Sequence, residues 1–273
     1  MGDFMDSILN LVQLVVDTVF SLIPQPVPTE RQLANCRLVA HRGETLGGSI
    51  LENTFKAFDT ACQHGAWGLE FDIRWTKDLV PIVHHDQTTS RVFQLPYTIS
   101  DLTYSELRDK IPEIPTLEEV LQRYGGKRHL MIEVKEEVYP DPKRQIETLN
   151  KLMEKLKPID DYHFITLAPK MFDFLTFVPP KALLLVAEVN QGPLHSLTLE
   201  KGWGGLTGHY LLLTRKIQME QEARGQKIGT GFIKSKNALF RQINREVEWI
   251  FTNDTARLDK IRGIEKNGVA DGA

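Results

Sequence analysis

The stretch GLEFDIRWTKDLVPIVHHD, residues 68–86, decides how the rest of the chain is read. Two apolar runs, WGLEFDI (67–73) and VPIVH (80–84), have the β-branched and aromatic content of strands. Only residues 73–79 separate Asp72 from Val80. A parallel crossover needs about a dozen residues, so the two runs are expected to pair as a hairpin. A turn centred on Lys77-Asp78 sets Glu70 opposite His85, and a shift of one residue sets Asp72 opposite His85. Side chains alternate with period two, so either register puts Glu70, Asp72 and His85 on one face.

Outward from the hairpin, short apolar runs alternate with helical segments. RLVA (37–40), HLMIEVK (129–135), HFITL (163–167), ALLLVAEV (182–189), KIGTGFI (227–233) and EWIFTN (248–253) read as strands. TFKAFDTACQHG (54–65), TLEEVLQRYGG (116–126) and RQIETLNKLMEKL (144–156) read as helices, the second capped by Thr116 and stopped by its glycines. Strands separated by helices imply parallel pairing and an α/β fold. So many β-α units predict a closed TIM-type (β/α)8 barrel over residues 31–273, with the hairpin near residues 70–85 as its irregularity. No internal repeat or low-complexity tract interrupts it.

With 273 residues, 41% hydrophobic and 25% charged, the chain has the composition of a globular protein with a proper core. Its net charge of −3 offers no basic field for nucleic acid. Two cysteines, Cys36 and Cys62, exclude a disulfide scaffold and read as reduced thiols.

Residues 1–30 form a separate unit: an amphipathic helix over 4–23, FMDSILNLVQLVVDTVFSLI, then a stiff linker at Pro24, Pro26 and Pro28. No Lys or Arg precedes Arg31, so a signal peptide lacks its basic region and a cytoplasmic location is expected. Asp3, Asp6, Asn10, Gln13, Asp17 and Ser21 recur every three or four residues, a polar stripe that a membrane-spanning helix has no use for. The helix could cap the floor of the barrel, pair with another subunit, or lie on a membrane surface. Anionic lipid repels an acidic stripe, which favours protein packing over peripheral membrane contact.

The chemistry sits at the ends of the predicted strands, where a TIM barrel carries its catalytic groups. His41-Arg42-Gly43 follows RLVA, Glu70 and Asp72 end the next strand, and Glu133 and Lys135 end HLMIEVK. Carboxylates in apolar strands are costly unless paired or metal-bound. Three converging ones call for a hard divalent ion with oxygen ligands, Mg²⁺ or Ca²⁺.

This constellation resembles the glycerophosphodiester phosphodiesterase family. The family pattern appears as His41-Arg42-Gly43, Glu52-Asn53-Thr54 with Ala57-Phe58, Gly65-Ala66 with Glu70 and Asp72, His85-Asp86, and Glu133-Val134-Lys135. IPTLEEVL (114–121) also matches, and Thr252-Asn253-Asp254 less sharply. The resemblance implies that Glu70, Asp72 and Glu133 bind the metal and that His41 and His85 are the acid–base pair. It implies that Arg42 and Lys135 hold phosphate oxygens, with Glu52 and Asn53 in support. It further implies hydrolysis of glycerophosphodiesters to glycerol 3-phosphate and an alcohol through a cyclic phosphate. Lysophospholipids are the alternative substrate, and a non-catalytic binding protein is the reading of another class. The chain departs from the pattern at Lys77-Asp78-Leu79, where the family usually has Asp-Gly, and at Leu51, where Pro is common. Its loop over Thr45–Ile50 is extended, and KIGTGFIKSKN (227–237) stands where the family carries Trp-Thr-x-Asn. His64, His84, His129, His163, His195 and His209 read as structural, and Gly204, Gly205, Gly208 and Tyr210 as a loop that could border the mouth.

Overall fold

The computed structural model describes residues 18–270. Its centre is the expected closed barrel of parallel strands: β1 (Leu38–His41), β2 (Gly68–Trp75), β4 (His129–Val134), β5 (Tyr162–Thr166), β6 (Leu183–Ala187), β7 (Gly205–His209), β8 (Lys227–Gly231) and β9 (Trp249–Thr252). β1 pairs with both β2 and β9 and so closes the ring. Helices cover the outside. Phe58 anchors the one over Phe55–Gln63, fully buried between Phe71 and Tyr124 with each ring 5.8 Å away. Burying such a side chain stabilises by about 1.5–3 kcal/mol. Thr116 caps the helix Leu117–Tyr124 in a capping box with Glu119, as its position predicted.

The hairpin forms, with β3 (Pro81–Val83) antiparallel to the upper part of β2, but in neither expected register. Ile73 pairs with Val83, and the His84 N–H donates to the Asp72 carbonyl at 3.0 Å. The turn explains the difference. The Thr76 N–H donates to the Val80 carbonyl, and Leu79 sits at φ +64°. This is a three-residue loop closed by a left-handed residue, not a two-residue turn. Strand parity therefore does not bring His85 to Glu70 and Asp72. His85 arrives because β3 ends at Val83 and the chain bends. His84 is structural, buried beside Phe93 and 3.1 Å from the Thr88 carbonyl.

The segment read as a loop at Gly204–Tyr210 is largely strand β7. Its glycines serve close backbone approach, since a Cβ on Gly205 would lie 2.0 Å from the Lys227 carbonyl oxygen. A further short helix, Glu30–Asn35, carries a capping box of Thr29 and Gln32 and buries Leu33 against Ile243 and Leu258 at the lower end of the barrel.

Residues 4–17 of the expected amphipathic helix lie outside the described residues. Residues 18–22 are helical, and the linker after them is extended. Phe20 meets Tyr210 edge-on at 6.5 Å, Asn237 donates to the Ser21 carbonyl at 2.7 Å, and Asn244 donates to the Pro26 carbonyl at 2.9 Å. Tyr210 directly follows β7 and Asn244 ends the helix Lys236–Asn244, so residues 20–26 run along the outside of that helix from the upper rim toward the lower end. Among the described residues no helix is long and apolar enough to cross a membrane.

The barrel interior is layered. At the floor, His129 Nε2 lies 2.8 Å from His163 Nδ1, Trp67 stacks on His129 at 4.5 Å, and Trp249 meets His163 edge-on. Above them Val39, Met131, Ile165, Leu184 and Phe251 form an apolar layer. Polar groups fill the top. Burial keeps the floor histidines neutral, His129 lowered to about 4 and His163 to about 3.

A histidine held below its unfolded pKa binds fewer protons in the native state, so stability is lost as pH falls below about 6.5. Each should cost about 2 kcal/mol between pH 7 and pH 5. Urea unfolding of the wild type and of His129→Gln/His163→Gln at both pH values checks this. The double variant should show a markedly smaller loss, and an equal loss would remove the pair from the account.

Candidate active site

The upper layer is assembled by strand register. His41, the last residue of β1, pairs with Glu70 of β2, and Asp72 pairs with Glu133 of β4. Alternation then sends Glu70, Asp72 and Glu133 inward on neighbouring strands, where each is at most 6% exposed. The turn after His41 depends on Gly43, at φ +83°, because a Cβ there would lie 2.7 Å from that of Ala57. Arg42 and Asn53 also adopt left-handed backbone, φ +58° and +57°, at a cost of about 1–2 kcal/mol each.

Asp72 is the hub. Its carboxylate accepts from Asn53 Nδ2 at 2.9 Å, lies 3.3 Å from Arg42 Nε and pairs with Lys135 Nζ at 2.6 Å. Lys135 also contacts Glu133. Arg42 reaches Glu52 at 3.2 Å, and its backbone N–H donates to Glu70 Oε2 at 3.1 Å. Glu70 Oε1 is buried with no hydrogen-bond partner. Burial pushes Glu70 up to about 8 and Glu133 to about 7, in both cases with the Asp72 charge adding to it. Burial also opposes ionisation of Asp72, but Lys135 and Arg42 outweigh it and hold that carboxyl well below its usual range. Oxygens of Glu70, Asp72 and Glu133 all fall within 4.8 Å of one another. An orphaned carboxylate oxygen among three converging carboxyls, with oxygen the only donor atom, fits a hard divalent cation.

His41 lines a cavity with Glu70 and Glu133, and His85 lines the adjoining hollow with Glu133 and Lys135. His41 Nδ1 is 2.6 Å from Asn253 Oδ1 and its Nε2 is 3.8 Å from Glu70 Oε2. His85 Nδ1 is 2.7 Å from Asp86 Oδ1. Burial lowers both imidazoles, with Arg42 adding to it at His41 and Asp72 opposing it at His85. All nine residues singled out from the sequence therefore meet at one end of the barrel.

Two arginines in the same constellation were not singled out. Arg91 bonds Asp86 at 2.6 Å and Glu52 at 2.6 Å, linking the support of His85 to that of Arg42. Arg74 donates from Nε and Nη2 to the His85 carbonyl at 2.9 and 2.8 Å and pairs with Glu137. Arg74 was findable, since it continues the 70, 72, 74 alternation on one face of β2. Arg91 lies on a short helix after the hairpin, with no periodicity to announce it.

The cavity beside the cluster encloses about 100 Å³. Its polar side is His41, Glu70, Glu133 and Asn253, and its apolar wall includes Ile165, Val186, Phe232 and Phe251. Phe232 ends KIGTGF and stacks on His209 at 5.3 Å, which stacks on Tyr210 at 4.9 Å. Phe232 and Phe251 make part of the cavity wall aromatic.

The glycerophosphoryl diester phosphodiesterase family model matches residues 41–207. The glycerophosphodiester phosphodiesterase of Bacillus altitudinis is 29% identical over 247 residues, covering 83% of this chain and 98% of that protein. The same fold is found in the crystal structure of glycerophosphodiester phosphodiesterase from Thermotoga maritima, with TM-score 0.69 and 21% identity over 83% of this chain and 98% of that one. It is found too in an Oleispira antarctica phosphodiesterase solved with its product sn-glycerol-3-phosphate, with TM-score 0.68 and 20% identity over 83% of this chain and 95% of that one.

A cation bound only by the folded chain stabilises it by about 2.7 kcal/mol at a hundredfold excess over Kd. Mg²⁺ or Ca²⁺ should therefore raise the melting temperature by about 5–10 °C. Glu70 and Glu133 bind protons that the ion must displace, so the rise should grow from pH 6 to pH 8. Glu70→Gln should melt normally without metal and show no such rise. A cation response that survives in this variant would reject the carboxylate cluster as the site.

Proposed function

The chain belongs to the glycerophosphoryl diester phosphodiesterase family, and from that premise we propose that it hydrolyses glycerophosphodiesters to glycerol 3-phosphate and an alcohol by acid–base catalysis with His41 and His85. The observation that carries this reading is the buried Glu70, Asp72 and Glu133 cluster with His41 beside Glu70, His85 lining the adjoining hollow with Glu133 and Lys135, and Arg42 and Lys135 paired to Asp72. A divalent cation, Mg²⁺ or Ca²⁺, held by the three carboxylates would supply positive charge to the non-bridging phosphate oxygens.

Arg42 and Lys135 bind the phosphate, Arg42 with its planar fork and Lys135 as a point charge. The glycerol hydroxyl next to the phosphate attacks phosphorus. His41 takes its proton, because Asn253 Oδ1 accepts from Nδ1–H and leaves Nε2 with a lone pair. The bond from phosphorus to the head-group oxygen breaks, and His85 protonates that oxygen. Asp86 accepts from Nδ1–H of His85 and favours its charged form. Water then opens the cyclic phosphate with the roles reversed, and glycerol 3-phosphate leaves. Asn253 holds His41, Asp86 and Arg74 hold His85, and Arg91 ties Asp86 to Glu52.

Positioned acid–base catalysis is worth roughly a hundred- to ten-thousand-fold. His41→Ala and His85→Ala should each lower kcat on glycerophosphocholine by about that factor, and EDTA should stop turnover. A p-nitrophenyl diester, whose leaving group needs little protonation, should rescue His85→Ala and not His41→Ala. Rescue of His41→Ala alone would exchange the two roles, and undiminished turnover in both variants would reject the mechanism.

A further inference from the structure

Glu44 is an acidic side chain in the protein interior that belongs to none of the groups assigned to the reaction. It follows His41 by three residues and is 0% exposed. A buried carboxylate is costly unless its oxygens are bonded, and both of these are. Oε1 accepts from the Leu46 N–H at 2.9 Å and Oε2 from the Ala256 N–H at 2.9 Å. The Glu44 N–H itself donates to the Ala57 carbonyl at 3.0 Å. The two carboxylate bonds join distant parts of the chain. Leu46, at φ +46°, belongs to the loop after β1. Ala256 lies 212 residues away, in the first turn of the last helix, Thr255–Ala270. An acidic group suits that place, because the first N–H groups of a helix lack partners within it and form its positive end.

That helix begins two residues after Asn253, whose Oδ1 holds His41 Nδ1 at 2.6 Å. Asn253 is itself exposed, on the bend between β9 and the helix, so the aim of its side chain depends on how its backbone is held. His41 and Asn253 lie one residue beyond the last β1–β9 pair, Ala40 with Thr252, where strand register no longer fixes their separation. On one side of Asn253, Thr252 Oγ1 accepts from the Asp254 N–H at 3.0 Å. On the other, Ala256 is tied to Glu44. The links close a ring. Side chains join His41 to Asn253, the chain runs on to Ala256, the carboxylate joins Ala256 to Glu44, and the chain leads back to His41.

We propose that Glu44 is a positioning residue for the acid–base step: its carboxylate staples the start of the last helix to the loop after β1, holds Asn253 against Nδ1 of His41, and so keeps the lone pair of that ring on Nε2. The catalytic consequence rests on the hydrolase reading above, whereas the staple and its effect on the imidazole do not.

Long-range ¹H–¹⁵N NMR of the histidine-labelled full chain with Mg²⁺ present reads which ring nitrogen carries the proton, with His41 assigned by the signal lost in His41→Gln. At alkaline pH the ring is neutral, since burial lowers its pKa. The wild type should carry the proton on Nδ1, and Glu44→Ala should give a mixture of the two tautomers. The same variant should lower kcat on glycerophosphocholine about tenfold to a hundredfold with KM little changed. If Glu44 acts through Asn253, Glu44→Ala/Asn253→Ala should lose no more than Asn253→Ala alone, whereas independent sites would multiply their losses. Glu44→Gln keeps the volume and one accepting oxygen, so it carries the test if Glu44→Ala does not fold, and it should move tautomer and kcat in the same direction by less. A variant that only melts lower, with tautomer and kcat unchanged, overturns the proposal, and so do losses that multiply in the double variant. A wild type that turns over no diester while its His41 tautomer still responds to Glu44→Ala upholds the staple and rejects the hydrolase reading alone.

Discussion

The convergence of three buried carboxyl groups governs this molecule. Glu70, Asp72 and Glu133 lie on adjacent strands with oxygens within 4.8 Å, and the cations paired with Asp72 in this layer are Arg42 and Lys135. Without a further positive charge the layer cannot ionise fully, which is why burial and mutual repulsion raise two of the three carboxyls while Asp72 stays charged between its two partners. Strain at Arg42 and Asn53 persists because both are needed at Asp72. Glu52, Arg91 and Asp86 extend this network in a chain of ion pairs from Arg42 to His85.

The same barrel solves the opposite electrostatic problem at its floor. Burial keeps His129 and His163 neutral there, bonded to each other beside two tryptophans, with an apolar layer between them and the site. Within the barrel interior, the charged side chains Glu70, Asp72 and Glu133 sit at the upper end. The parallel strands make this separation possible, because their carboxyl ends all face one way and inward side chains stack in layers.

The hairpin breaks the barrel's repeat, and it delivers His85 to the site. Its three-residue loop ends the antiparallel pairing at Val83, and Arg74 clamps the carbonyl of His85 from β2. A β-α unit would have placed a helix where His85, Asp86 and Arg91 now line the rim.

How much was legible in the sequence depended on whether a residue's role follows from its own neighbours. The barrel was readable because alternating strands and helices admit few closed arrangements, and His41, Arg42, Glu52, Asn53, Glu70, Asp72, His85, Glu133 and Lys135 were readable because their spacing matches a family pattern at strand ends. Strand β7 was missed because Gly205 and Gly208 suppress the β-branched signal; they are there for backbone approach to neighbouring strands, which no local window reveals. The hairpin register was missed by one residue because it hangs on Leu79 adopting a conformation normally left to glycine. Arg91 and the support that Asn253 gives His41 could emerge only when residues distant in the chain were brought together. By itself the sequence determined which residues are polar within apolar strands and hence where charge must be compensated. The closed barrel decided which of them touch, because hydrogen bonding between strands sets register to within one residue, and one residue is the difference between a side chain in the site and one facing away.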